Sequence, residues 1–469
     1  MPVTTEHPEY EKNLPAWELV RDACSGSRAV KSKKTTYLPA TTLADPKSPD
    51  KSQQQRYATI LSRANYVNIV GRTLSGLTGA VFRNPAEVNL PSQVAYLEDE
   101  ADSLGNSLEQ VAKSVVTNVQ AVGRHGILVD SPQGLEGLSL EQARHLGIRA
   151  RFCEYSAESI INWKEQGGKL SLVVLKEQRT TGGDEYAHDS ETVYRVLKLE
   201  EGRYVQRLVN DEGEILEESH PRQSGGAPWK EIPFIIPGSV NNDPCVDPVT
   251  LYDLADVNLA HYRNSADFEL NLHIHGSGTL FITSSMSAEE FKSVNPNGLL
   301  MGSQVGHFLG ENGSATLLQI EPAQAIAEAM KHKEDQMLAL GAKMVERSGG
   351  NQTAEEIRTK SSAETSTLDT IVGNAEAAII KCLEWAAMFE GGNVSQIEYK
   401  LNRQYFDRYV DPQIIIAGIQ LYDRGLVARA DMVNAAKLAK IVEPDRLTDE
   451  IMSEVDTEGP LIEQQSIPA

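Results

Sequence analysis

The sequence predicts an α+β fold, on three observations. Apolar residues recur at three- and four-residue steps over several long segments, the spacing of one face of a helix. Residues 149–236 instead break into short runs of alternating or β-branched residues separated by glycine pairs, which reads as an antiparallel meander. Two further helical stretches enclose about 45 residues rich in glycine and short strands, giving a helix, a small β module and a second helix.

In chain order, the first forty residues combine a short apolar helix around Trp17, Leu19 and Val20 with a basic cluster at Arg21, Arg28, Lys31, Lys33 and Lys34. Two readings stand: a solvated arm, or a segment that docks on an acidic neighbouring surface. Across 53–79, Tyr57, Ile60, Leu61, Ala64, Val67, Val70, Leu74 and Leu77 lie on one face of a single helix of roughly seven turns. Ser107 with Gln110 three residues later forms a capping-box pattern ahead of the stripe Leu108, Val111, Ala112, Val115, Val116, Val119 and Val122. Gly123 and Gly126 end that helix, and 127–129 reads as a buried strand. Within the meander, strands are expected at 170–175, 193–199, 204–209 and 232–236, with turns at Gly167-Gly168 and Gly182-Gly183.

Asp247 as N-cap and Pro248 at the first helical position open a helix to His275. A second opens at Pro322, places Ile326, Met330, Met337, Leu338, Gly341, Met344 and Val345 on one side, and runs to the break at Gly349-Gly350. The two are matched in length, about 40 Å each. Between them strands are expected at 279–283, 299–301 and 315–320. A polar stretch, 351–360, precedes a third long helix over 362–389 with Leu368, Ile371, Val372, Ala375, Ile379, Cys382, Leu383 and Ala386 along one face. Residues 394–401 alternate like a strand, 412–442 read as two short helices joined at Gly425, and the acidic tail from 443 is expected to be partly disordered.

Composition bounds the function. With 44 basic against 66 acidic residues in 469, the formal net charge is -22, which argues against broad wrapping of DNA or of an anionic membrane. Any nucleic-acid contact must be local or weak. Cys24, Cys153, Cys245 and Cys382 are too scattered for a zinc knuckle, so a reducing compartment is expected. The N-terminus has no basic and apolar leader pattern, and no apolar run reaches membrane-span length. There is no GxxxxGK[ST] loop, HExxH or GxSxG elbow. His261, His273 and His275 are too far apart or on different faces for one metal, and read as structural or interface histidines. Residues 429–440 imitate a DNA-reading helix but precede the acidic tail, so a packing unit is the stronger reading. No catalytic residue, cofactor or metal is assigned.

The stretches HPEYEKNLPAWELVRDACSGSRAVKSKKTTYLP (7–39), ANYVNIVGRTLSGLTGAVFRNP (64–85), GNSLEQVAKSVVTNVQAVGRHGILVD (105–130), SIINW (159–163) and NNDPCVDPVTLYDLADVNLAHYRNSADFELNLHIHGSGTLFIT (241–283) resemble the portal proteins of tailed double-stranded DNA bacteriophages. The resemblance runs in the family's order from His7 to about Phe406. It implies a portal fold: a mixed wing at 1–246 and 362–407, a two-helix stem at 247–275 and 322–347, a β-rich clip at 276–321, a tunnel loop at 348–361, a helical crown at 408–455 and a disordered tail at 456–469. Portals are rings, commonly of twelve subunits, at one capsid vertex of the virion, assembled in the host cytoplasm. The implied partners are further copies of the chain, the large terminase, the head-tail adaptor, the major capsid and scaffolding proteins, and double-stranded DNA passing without sequence specificity during packaging and ejection. No enzyme activity, cofactor or membrane is implied. Candidate channel-lining residues are Lys331, Lys333, Lys343, Arg347, Arg358 and Lys360, with Gly349, Gly350, Asn351 and Gln352 in the tunnel loop. Intersubunit or outer-face salt bridges are the competing reading of those cations. The alternative function is a phage-encoded enzyme acting on DNA through an unrecognised site.

Overall fold

The structure, a computed structural model, describes residues 2–130, 149–180, 189–276, 279–295, 309–318, 324–341, 354–403 and, beyond them, 405, 420–422, 424, 427–438, 442 and 446–458. It is a mixed α+β chain in two units, Met1–Arg403 and Gln404–Ala469.

Helix α1 (Pro8–Ser25) starts at His7, whose Nδ1 accepts the Glu9 N–H at 3.1 Å, with Pro8 at the first helical position. It is no solvated arm: Trp17, Val20 and Ala23 are fully buried. Arg21 leaves the basic cluster to bond Glu158 at 2.9 Å and Asn118 at 2.6 Å. The short α2 (Ser27–Ser32) follows.

The single helix expected over 53–79 is two, α3 (Lys51–Arg63) and α4 (Ile69–Val81). The apolar period continues through the gap, but Asn68 ends it by capping α4 through its Oδ1 to the Gly71 N–H while its Nδ2 donates to the Cys24 carbonyl. Gly71 permits that crossing, since a Cβ there would stand 2.5 Å from the Cys24 carbonyl oxygen.

Strand β1 (Glu87–Asn89) leads to α5 (Leu108–Val122), which has the expected capping box of Ser107 and Gln110, and every residue of its expected stripe is buried. Gly123 closes it in the left-handed conformation, φ +76°, where a side chain would also run into the Pro248 carbonyl.

The meander is divided between two sheets. Strands β2 (His125–Asp130), β3 (Arg151–Ser156) and β9 (Phe234–Ile235) form one, in the order β3-β2-β9. Strands β4 (Ile160–Gln166), β5 (Lys169–Thr180), β6 (Ser190–Glu200), β7 (Arg203–Asn210) and β8 (Ile215–Ser219) form the other, antiparallel in sequence order. Glu177 joins the sheets, accepting from the Tyr155 hydroxyl of β3 and from Arg195 Nε of β6 at 2.6 Å. The expected turn at Gly182-Gly183 lies outside the described residues.

Helix α6 (Tyr252–Gly276) begins four residues later than the predicted first helical position, Pro248, because the Asp247 carboxylate instead accepts the N–H groups of Val240, at 2.7 Å, and Asn241. Strands β10 (Thr279–Thr283) and β11 (Ser314–Leu318) pair antiparallel around α7 (Ala288–Val294), a short helix the sequence reading missed despite its Ser287–Glu290 capping box. The strand expected at 299–301 lies outside the described residues. Helix α8 (Gln324–Ala339) is shorter than its expected partner length: it stops before Gly341, which has φ +120°. Helix α9 (Ala354–Glu390) starts eight residues before the expected Ser362, turning 354–361 from loop into helix. Its expected apolar face from Leu368 to Ala386 is buried throughout, packed on α5 and the smaller sheet. Strand β12 (Glu398–Lys400) pairs with β1, shorter than the expected 394–401.

In the second unit α10 (Arg429–Leu438) packs on α11 (Thr448–Glu458), with Lys437 Nζ donating to Thr448 Oγ1 at 2.9 Å. This is a packing pair, and α11 places helix where the acidic tail was expected to lose order. Most of the helix expected before Gly425, and residues 459–469, lie outside the described residues.

Candidate interaction surface on the helical hairpin

Helix α6 changes character along its length of about 37 Å. Leu254, Ala255, Asn258, Leu259, Tyr262, Ser265 and Ala266 are buried against α1, α3 and α4. Six to eight residues later the cover is gone, and Leu272 and Ile274 are each 41% exposed. One end is therefore built into a core and the other extends past it.

Two polar side chains seven residues apart, hence on one face, fix the buried end. Asn258, with no exposed surface, donates to the Val67 carbonyl at 3.0 Å and accepts the Ile69 N–H at 3.3 Å. Ser265 accepts the Asn65 N–H at 3.0 Å, and its Oγ lies 2.8 Å from the Asn65 carbonyl. The backbone that the α3–α4 break leaves without helical partners is thus satisfied by α6, which explains the break. Sequence reasoning missed both residues; the available signal was polar Asn258 and Ser265 on the apolar side of a helix.

Helix α8 returns antiparallel along α6. His261, buried, lies 3.3 Å from Glu334 through its Nε2, and Met337 is the side chain of α8 that α6 and its neighbours bury. His261 is structural, as expected. Ile326, Met330 and Leu338, the rest of the described apolar side of α8, remain partly exposed. At the far end β10 and β11 are knitted to their connection by Ser284 and Ser285, whose hydroxyls donate to the Leu309 and Glu311 carbonyls at 2.6 Å. Phe281 on β10 is 56% exposed and Val294 on α7 is 44% exposed. The hairpin thus has a base fixed in the core and an apolar side and tip that the described residues leave exposed.

Of the candidate channel residues, Lys331 is exposed and Lys333 half-buried on α8. Two residues apart, they are separated by about 200° around the helix axis, so they do not face one surface together. Arg358 and Lys360 fall in the first turns of α9, with side chains outside the described part. Lys343, Arg347, Gly349, Gly350, Asn351 and Gln352 lie outside the described residues.

Elsewhere, Arg124 is 1% exposed, donates to the Pro244 and Cys245 carbonyls at 2.9 and 3.0 Å and stacks 4.2 Å from the ring of Trp163, on which His7 also stacks at 4.0 Å. Burial lowers the Arg124 pKa to about 10, an arginine still charged at neutral pH. An open cavity of about 540 Å³ between His7, Trp163, Glu165 and Cys245 lies beside this stack. The four cysteines are free thiols, and burial raises Cys24 to about 11 and Cys153 to about 12, the direction that suppresses thiolate reactivity. Among the described residues no helix is long and apolar enough to cross a membrane.

A family model described as a domain of unknown function (DUF4055) matches residues 250–390, which run from the start of α6 to the end of α9. No curated protein matches the chain.

Proposed function

We propose that this chain is the subunit of a portal ring at one vertex of a tailed-phage capsid, a conduit through which double-stranded DNA is packaged and ejected. The single observation that carries the reading is the hairpin: a helix braced in a core by Asn258 and Ser265, a β tip, and a returning helix, with Leu272, Ile274, Phe281, Ile326 and Met330 left for neighbouring copies to cover. The portal fold itself, with wing, stem, clip and crown, belongs to this proposal, as do docking of the large terminase on the tip, binding of the head-tail adaptor, contacts with capsid and scaffolding proteins and residence in the virion. A net charge of -22 per subunit suits a conduit, because DNA repelled by acidic walls slides rather than sticks. The function is mechanical and needs no active site.

Negative-stain images of the purified full chain over a range of concentrations test it. Rings with a central hole are expected, and Leu272→Glu with Phe281→Glu should abolish them while the circular-dichroism spectrum is kept. Particles that stay monomeric at every concentration count against the proposal.

A further inference from the structure

The acidity of the chain is not evenly spread. Residues 26–63 contain eight cations, Arg28, Lys31, Lys33, Lys34, Lys47, Lys51, Arg56 and Arg63, against Asp45 and Asp50, an excess of six positive charges inside a chain of net charge -22. All but Lys31 are exposed. Among the described residues only Lys33 is in a close ion pair, with Asp22 at 3.3 Å, while Arg56 acts on the Asp50 carboxylate from farther away. Both acids in the segment are engaged locally, Asp45 by the Lys47 N–H and Asp50 as the cap of α3.

The fold brings these cations together. Lys31 Nζ donates to the Ser62 carbonyl at 3.1 Å, which sets α2 beside the end of α3 that carries Arg63. The Lys34 carbonyl accepts the Leu38 N–H, and the Leu38 carbonyl accepts the hydroxyl of Tyr57, the neighbour of Arg56. Arg56 and Arg63 are seven residues apart and so share one side of α3, about 10 Å apart along its axis. Tyr57 is the buried side chain of α3. The exposed positions of α3 between the cations are Ser52, Gln54, Gln55, Ala58, Thr59 and Ser62, and Leu43 is the large apolar side chain this stretch leaves exposed.

We infer that the α2–α3 face binds the phosphate backbone of duplex DNA without reading its sequence. The centre of a protein–protein contact is depleted in charge and enriched in aromatic residues, and this face has the reverse composition. Lysine and arginine interleaved with serine, threonine and glutamine are the donor set that contacts phosphates. The surrounding negative charge confines DNA to this patch, so binding is weak, local and strongly dependent on salt. The inference does not rest on the portal reading, because it concerns a different surface and holds for a monomer or a ring.

The experiment is fluorescence anisotropy of a short labelled duplex titrated with the purified full chain from about 50 to 200 mM salt. Binding should weaken steeply with salt. The triple variant Lys34→Gln, Arg56→Gln, Arg63→Gln should bind more weakly and flatten the slope of log K against log salt by about 2.7, which is three phosphate contacts at about 0.9 each. Its thermal melting should match that of the unaltered chain, since all three side chains are exposed. A Lys113→Gln, Lys169→Gln variant, altered at exposed cations away from this face, should keep the full slope. An unchanged slope in the triple variant overturns the inference, as does an equal loss of slope in the control variant. Retention on phosphatidylserine vesicles without any anisotropy change on DNA overturns it in favour of a lipid surface.

Discussion

Replacing Asn258 by leucine tests whether α6 holds the α3–α4 break in place. Leucine keeps the branching of asparagine but removes both hydrogen bonds, to the Val67 carbonyl and from the Ile69 N–H. These backbone groups do not become wholly orphaned, because the Ile69 N–H also reaches the Val67 carbonyl at 2.9 Å. The loss is then two side-chain hydrogen bonds at about 1 kcal/mol each, about 2 kcal/mol in total, rather than the larger cost of bare buried polar groups. Because the change acts on one segment, it should appear as easier local opening, with amides around Ile69 exchanging about 30-fold faster by hydrogen-exchange mass spectrometry. Peptides from α5, which Asn258 does not touch, should be unchanged. Asn258→Asp should be worse, since it keeps an acceptor for Ile69 but places a carboxylate against the Val67 carbonyl with no exposed surface. Unaltered exchange around Ile69 in the leucine variant would refute the bracing argument.

Ser107→Ala removes the capping box of α5 and should lower stability by about 1 kcal/mol, seen as a lower denaturant midpoint; an unmoved midpoint would mean that water replaces the cap. Gly71→Ala drives a methyl group against the Cys24 carbonyl and should cost about 2 kcal/mol, whereas Ser75→Ala, at an exposed position one turn further along the same helix, should be near neutral. Burial, then the charge of Arg124, lowers the His7 pKa below 6.5, with Glu9 opposing. The unfolded chain therefore takes up the proton first as pH falls, so the contribution of His7 is complete above pH 6.5 and declines below it until the folded protein also protonates. His7→Asn keeps a capping oxygen without a titrating ring, and melting curves across this range should show a smaller acid loss than in the unaltered chain; identical losses would remove His7 as the cause.

The legible parts of this protein are those decided within a few turns of chain. The Ser107 cap, the stripe of α5, the closing Gly123 and the buried face of α9 follow from side-chain period and capping chemistry, and each lies where those rules place it. The helix, β tip and helix order of the hairpin was legible for the same reason. Its extent was not. The apolar period runs unbroken across 64–68, yet the chain bends there because Asn258 and Ser265, about two hundred residues away, satisfy the opened backbone. Asp247 has the composition of a helix cap and spends its carboxylate on Val240 and Asn241 instead. Trp17 and its neighbours resemble a surface arm until α1 is seen to be enclosed. The basic run from Arg28 was visible as composition, but its continuation through Arg56 and Arg63 onto one face needed the hydrogen bond from Lys31 to Ser62. Local propensity thus determined the type of each element, while breaks, ends and surfaces were decided only in the tertiary structure, because a polar group chooses its partner by distance in space and not by separation along the chain.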